Sequence, residues 1–173
     1  MRAIDVSLMA IFAALYAMGV VLLIPISFEI FQVRIIDCLI PLAVIFGWPV
    51  IGGVSLGNVV ANVFGGLGVI DIIGGTVANL VASTAAYLLR KRPFFATWAS
   101  NISITLIVGS YLAILFHVPV EIGLLGIFLG SIVAINVVGY ILILVFTETG
   151  IAESLGFPRK EENELTYDSD KVR

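Results

Sequence analysis

Charge is what this sequence has least of. Only 12% of its 173 residues are Asp, Glu, Lys or Arg, whereas soluble domains carry about 25%, so a water-facing globule is excluded. Most of the acidic residues fall from Glu148 onward, and with a formal net charge of -3 and no basic stripe the chain is not built to bind nucleic acid. Its single cysteine, Cys38, rules out an intramolecular disulfide and a thiolate metal centre. Its single histidine, His117, rules out a histidine-based zinc site, and no nucleophile elbow accompanies it to make a serine hydrolase. A Walker A sequence is missing, so the chain has no nucleotide site of its own to energise transport. The motif pair of an intramembrane aspartyl protease is missing too: Asp71 follows Gly66-Leu67-Gly68-Val69-Ile70 rather than sitting directly after a Gly-x-Gly, and Tyr167-Asp168 stands in the polar tail. No catalytic residue, metal or cofactor is expected.

What is abundant is apolar sequence, 60% of the chain. Runs of this kind cross about 30 Å of hydrocarbon when they reach roughly 20 residues. Six are expected: 8–26, with Ser7 as N-cap and Pro25 near its end, then a short one at 33–46 containing Pro41, then 50–64, 69–89, 95–116 and 123–146. The first reads as a spanning helix rather than a cleaved leader, because it is a full span long and other spans follow. The fold class is therefore all-α, a six-helix transmembrane bundle over residues 1–150 in a cell membrane, followed at 151–173 by a charged cytoplasmic tail expected to be disordered. Arg90-Lys91-Arg92 is the one basic cluster inside the apolar body, and the positive-inside rule puts that loop and both termini in the cytoplasm. Trp48 and Trp98 then fall at the inner interface.

The stretch Asn58 to Asn79 carries the polar groups that are costly at membrane depth: Asn58, Asn62, Asp71, Thr76 and Asn79. Asn58 and Asn62 share one helix face, Asp71, Gly75 and Asn79 share another, and Gly65, Gly66 and Gly68 between them mark a bend. Arg34 and Asp37 enter the short second span one turn apart, as an ion pair or a ligand clamp. Arg34 is the basic residue left on the outer side. Asn101 and Asn136, in the fifth and sixth spans, need amide partners at their depth and read either as interhelical glue or as ligand groups. Small residues repeat every fourth position in three places. Ala10 and Ala14, with Ala13 and Ala17 beside them, lie on the first span. Gly53, Gly57, Ala61 and Gly65 lie on the third, and Gly74, Ala78, Ala82 and Ala86 on the fourth, which suggests that the third and fourth helices press together.

Several of these residues also carry a resemblance. Pro25-Ile26-Ser27-Phe28 with Phe31-Gln32-Val33-Arg34-Ile35, then Gly57 to Asp71 with Asn62-x-x-Gly65-Gly66 and Asp71-Ile72, and Asn101 with Ile107-Val108-Gly109, together resemble the QueT family. That family comprises queuosine-precursor transporters counted among the substrate-binding S components of energy-coupling factor (ECF) transporters. The resemblance implies a six-helix subunit that captures a 7-deazaguanine-like molecule from outside and works with a transmembrane coupling subunit and a pair of ATPases. It also implies that the alanine stripe Ala10, Ala14 and Ala17 meets the coupling subunit. Substrate would be bound by Arg34, Asp37, Asn58, Asn62, Asp71, Asn79, Asn101 and Asn136. Asp37 stands where the family pattern calls for Glu, as does Asn136. An S component for another vitamin, or a structural membrane protein whose polar groups only hold helices together, are the competing readings.

Overall fold

The computed structural model describes residues 2–27 and 34–157. The polar connection expected after Ser27, with Phe28 and Phe31 to Val33 of the family motif, lies outside the described residues, as do positions 158–173 of the tail. Among the described residues every regular element is helical. Five helices are long and apolar enough to cross a membrane: α1 (Ala3–Leu22), α3 (Trp48–Gly65), α4 (Val69–Leu88), α5 (Pro93–Leu115) and α6 (Val120–Glu148). A shorter apolar helix, α2 (Ile35–Phe46), lies between α1 and α3. A last turn, α7 (Ile151–Ser154), closes the described chain.

Local chemistry sets the ends. α1 starts earlier than the Ser7 cap predicts, because the Arg2 backbone N–H donates to Asp5 Oδ2 at 2.8 Å and the Arg2 side chain grips Oδ1 of the same carboxylate. Ser7 instead donates back to the Ala3 carbonyl inside the helix. α3 begins at Trp48-Pro49, where the proline costs no hydrogen bond, and stops at Gly66, whose left-handed φ of 73° caps it. The glycine bend between α3 and α4 is thus present where the sequence places it.

α2 is unusual. Its first part, Ile35–Leu42, is a 3-10 helix with Pro41 inside it, followed by one α turn over Ala43–Phe46. The tighter 3-10 winding rises about 2.0 Å per residue against 1.5 Å for α, so this short element reaches roughly 22 Å instead of about 18 Å. α6 departs the other way, since Ile132–Gly139 widens into a π-helix in mid-span.

The glycine ridge of α3 receives a different partner from the one expected. A Cβ on Gly53 would stand 2.8 Å from the Met9 carbonyl oxygen, and one on Gly57 2.6 Å from that of Ala13, so α1 lies directly on the α3 backbone. The third and fourth helices do pack together, but it is α1 that uses Gly53 and Gly57. The reason is geometric: these glycines face α1 on the side where it buries Phe12 and Tyr16. Ala10 and Ala14 are left exposed on the opposite side of α1, with Ala17 half-buried.

Arg2 and the end of the described chain meet. The Arg2 Nη1 donates to the Gly156 carbonyl at 3.1 Å and its guanidinium lies over the Phe157 ring, which in turn packs edge-on to Phe46 at 5.2 Å. The first residues of the expected tail, through Phe157, are therefore packed onto the bundle, because Ala152 and Phe157 supply apolar anchors that are both buried. Trp48 rests against Tyr87 at the same end, close to the Arg90–Arg92 loop. Arg34, Asp71 and Tyr111 occupy the other end of the bundle.

Candidate functional site

The centre of the polar interior is Arg34, which is only 6% exposed. Its Nη1 donates to Asn58 Oδ1 and its Nη2 to Asn62 Oδ1, both at 3.0 Å, while Nε reaches the Ser27 carbonyl at 3.3 Å. A planar guanidinium fork fits two amide oxygens one helical turn apart, which is the separation that positions 58 and 62 provide on α3. The amides pass the network on to α4: Asn62 Nδ2 donates to the Asp71 carbonyl at 2.8 Å, and Asn58 Nδ2 to Thr76 Oγ1 at 3.4 Å. Gly75 makes this crossing possible. A Cβ there would fall 2.6 Å from Asn62 Nδ2 and 2.8 Å from Asn58 Nδ2.

Two buried carboxylates flank this fork, and each is held by a tyrosine that sequence reasoning missed. Asp37 Oδ1 accepts from Tyr16 Oη at 2.5 Å, and Asp71 Oδ1 accepts from Tyr111 Oη at 2.8 Å. Tyrosines inside apolar helices read as bulk. The available signal was that Tyr, unlike Phe, carries a hydroxyl that needs a partner when buried. Asp71 is fully buried, and its Oδ2 is the one buried side-chain oxygen or nitrogen without a hydrogen-bond partner among the described residues. A carboxylate oxygen left so is costly unless something donates to it.

Between α2, α4, α5 and α6 lies a small cleft. Arg34, Asp37 and Asn79 line one side; Ile104, Val108, Ile127, Gly130 and Ser131 line the other. The space between its walls, mouth included, is about 320 Å³, but free interior room is close to one water molecule. Asn79 is anchored by donating to the Val54 carbonyl at 3.2 Å. One wall therefore offers a cation, a carboxylate and an amide, and the other is apolar or small.

Of the residues expected to bind substrate, six are thus drawn together: Arg34, Asp37, Asn58, Asn62, Asp71 and Asn79. Asn101 and Asn136 are placed in a separate network. Asn101 Nδ2 donates to Asn136 Oδ1, Thr105 Oγ1 donates to Asn101 Oδ1 at 3.0 Å, and Asn136 Nδ2 reaches Thr97 Oγ1 at 3.4 Å. These groups join α5 to the π segment of α6; of the eight expected residues, Arg34, Asp37 and Asn79 line the cleft itself.

Five long apolar helices around a connected polar interior define a multi-pass membrane protein. Among known families, the model for the QueT transporter matches residues 6–148. The chain belongs to the QueT transporter family. No curated protein and no solved structure matches it significantly.

Proposed function

We propose that this protein is the membrane-embedded, substrate-binding S component of an ECF-type transporter in the cell membrane, taking up a queuosine precursor or a related 7-deazaguanine. The observation that carries the reading is the fully buried Asp71, whose Oδ2 has no donor among the described residues and whose backbone carbonyl is linked through Asn62 to Arg34. A 7-deazaguanine presents adjacent N1–H and amino donors, which suit a carboxylate, and a carbonyl oxygen, which suits Arg34 or an amide. Buried groups of this kind discriminate strongly, since an analogue lacking a partner leaves one unpaired at about 1–3 kcal/mol. The cleft has little free room, so binding includes a separation of its apolar wall from Arg34, Asp37 and Asn79.

The partners in this proposal are a transmembrane coupling subunit and a pair of ATPases, consistent with a chain that has no phosphate-binding loop of its own. Exposed Ala10 and Ala14 with half-buried Ala17 offer a low-relief face on α1 on which a partner helix can lie closely. With the Arg90–Arg92 end in the cytoplasm, six crossings put the Arg34 end outside, the side from which substrate is captured. Mass spectrometry of the small molecule that co-purifies with the detergent-solubilised protein tests the reading. A 7-deazaguanine is expected; a different vitamin, found reproducibly, would replace the substrate assignment.

A further inference from the structure

We infer that Tyr16 is a positioning residue for Asp37: standing behind the cleft wall, it fixes through one hydrogen bond which part of the carboxylate is left for an occupant. The inference rests on the proposed role of the cleft as the substrate site. Tyr16 is fully buried, does not line the cleft, and donates to Asp37 Oδ1 at 2.5 Å, while Asp37 does line it. The other buried side chains of α1 are Leu8, Phe12 and Val20, so Tyr16 is the one buried side chain through which this helix reaches the polar interior by hydrogen bonding.

The donor is closely packed at its base. A Cβ on Gly57 would fall 2.8 Å from Tyr16 Cβ, and one on Gly19 2.6 Å from Ile36 Cδ1, so the α3 backbone lies against the root of the Tyr16 side chain and the Ile36 side chain of α2 lies against the α1 backbone. Asp37 sits on the 3-10 part of α2 and shares the cleft wall with Arg34 and Asn79, while its Oδ1 is engaged from behind by the Tyr16 hydroxyl. With Oδ1 occupied by the phenol, Oδ2 is the better acceptor for a ligand amino or ring N–H group. Tyr16 thereby sets specificity without touching substrate.

Tyr16→Phe keeps the ring and removes the bond. Titration of the purified full chain with 7-deazaguanine and with 7-deazahypoxanthine, which lacks the amino donor, gives a selectivity ratio. Tyr16→Phe is expected to lower that ratio by at least about fivefold. A purely structural role would weaken both ligands equally, and an unchanged ratio overturns the inference. A second readout needs no ligand: Cys38 is the sole cysteine, buried and adjacent to Asp37, and its alkylation by N-ethylmaleimide is expected to quicken severalfold in Tyr16→Phe as α2 loosens. If wild type binds neither base, the substrate reading falls, and the alkylation rates decide Tyr16 alone, with a wild-type rate in the variant refuting it. Should Tyr16→Phe fail to fold, Asp37→Ala removes the same bond from the other side, and the same quickening of Cys38 alkylation is required.

Discussion

Among the described residues, neutral side chains hydrogen-bond to each of the buried charges Arg34, Asp37 and Asp71. Arg34 is met by two amide oxygens, and Asp37 and Asp71 each by a phenol. Asp71→Asn keeps an oxygen for Tyr111 but changes the acceptor at the unpartnered position. We expect ligand affinity to fall at least about tenfold, roughly 1.4 kcal/mol, with apo thermal stability near wild type. Tyr111→Phe should do the reverse in part, costing about 1–3 kcal/mol of apo stability by leaving Asp71 Oδ1 without its donor. Arg34→Ala should lower both quantities, because it strips two buried amide oxygens as well as the site. Paired measurements of affinity and thermal unfolding in detergent check all three; normal affinity with a large stability loss in Asp71→Asn would assign that residue to the scaffold.

At the scale of elements, the sequence was informative where one residue type dominates and silent where pairing decides. The apolar runs, the Gly65–Gly68 bend and the polar faces of Asn58/Asn62 and Asp71/Asn79 were all readable, because hydropathy and a four-residue period are local properties. Which helix lies on Gly53 and Gly57 was not readable, since a small-residue ridge names no partner. The 3-10 winding of α2 and the π stretch of α6 were hidden for a similar reason: Pro41 predicts a disturbance but not a tighter winding, and no residue in Ile132–Gly139 announces a wider turn. Tyr16 and Tyr111 escaped because their hydroxyls matter only once α2 and α4 bring carboxylates to them. The two faces of α1 give a direct contrast in behaviour. Gly57→Leu should prevent folding or lower the unfolding temperature sharply, as its side chain would enter the Ala13 backbone, whereas Ala14→Leu, on the exposed face, should leave stability near wild type and weaken assembly with the coupling subunit. Loss of substrate binding in Ala14→Leu with assembly intact would show that this face is not the docking surface.

At the scale of the whole molecule, the polar network and the basic loop lie at opposite ends, and orientation decides the direction of transport. A cysteine at Lys91, introduced after Cys38→Ala, should be labelled by a membrane-impermeant maleimide only from the cytoplasmic side; labelling from outside alone would invert the topology and the uptake direction with it. The contact of Arg2 with Gly156 and Phe157 brings the start of α1 and the end of the described chain together, so a probe near either should share that sidedness. The proposed role of this buried network is to bind a 7-deazaguanine. Its most direct test is isothermal titration of 7-deazaguanine into the purified wild-type chain: the account predicts saturable one-site binding that exceeds the affinity for unrelated vitamins, and no binding under conditions where another vitamin does bind would contradict it.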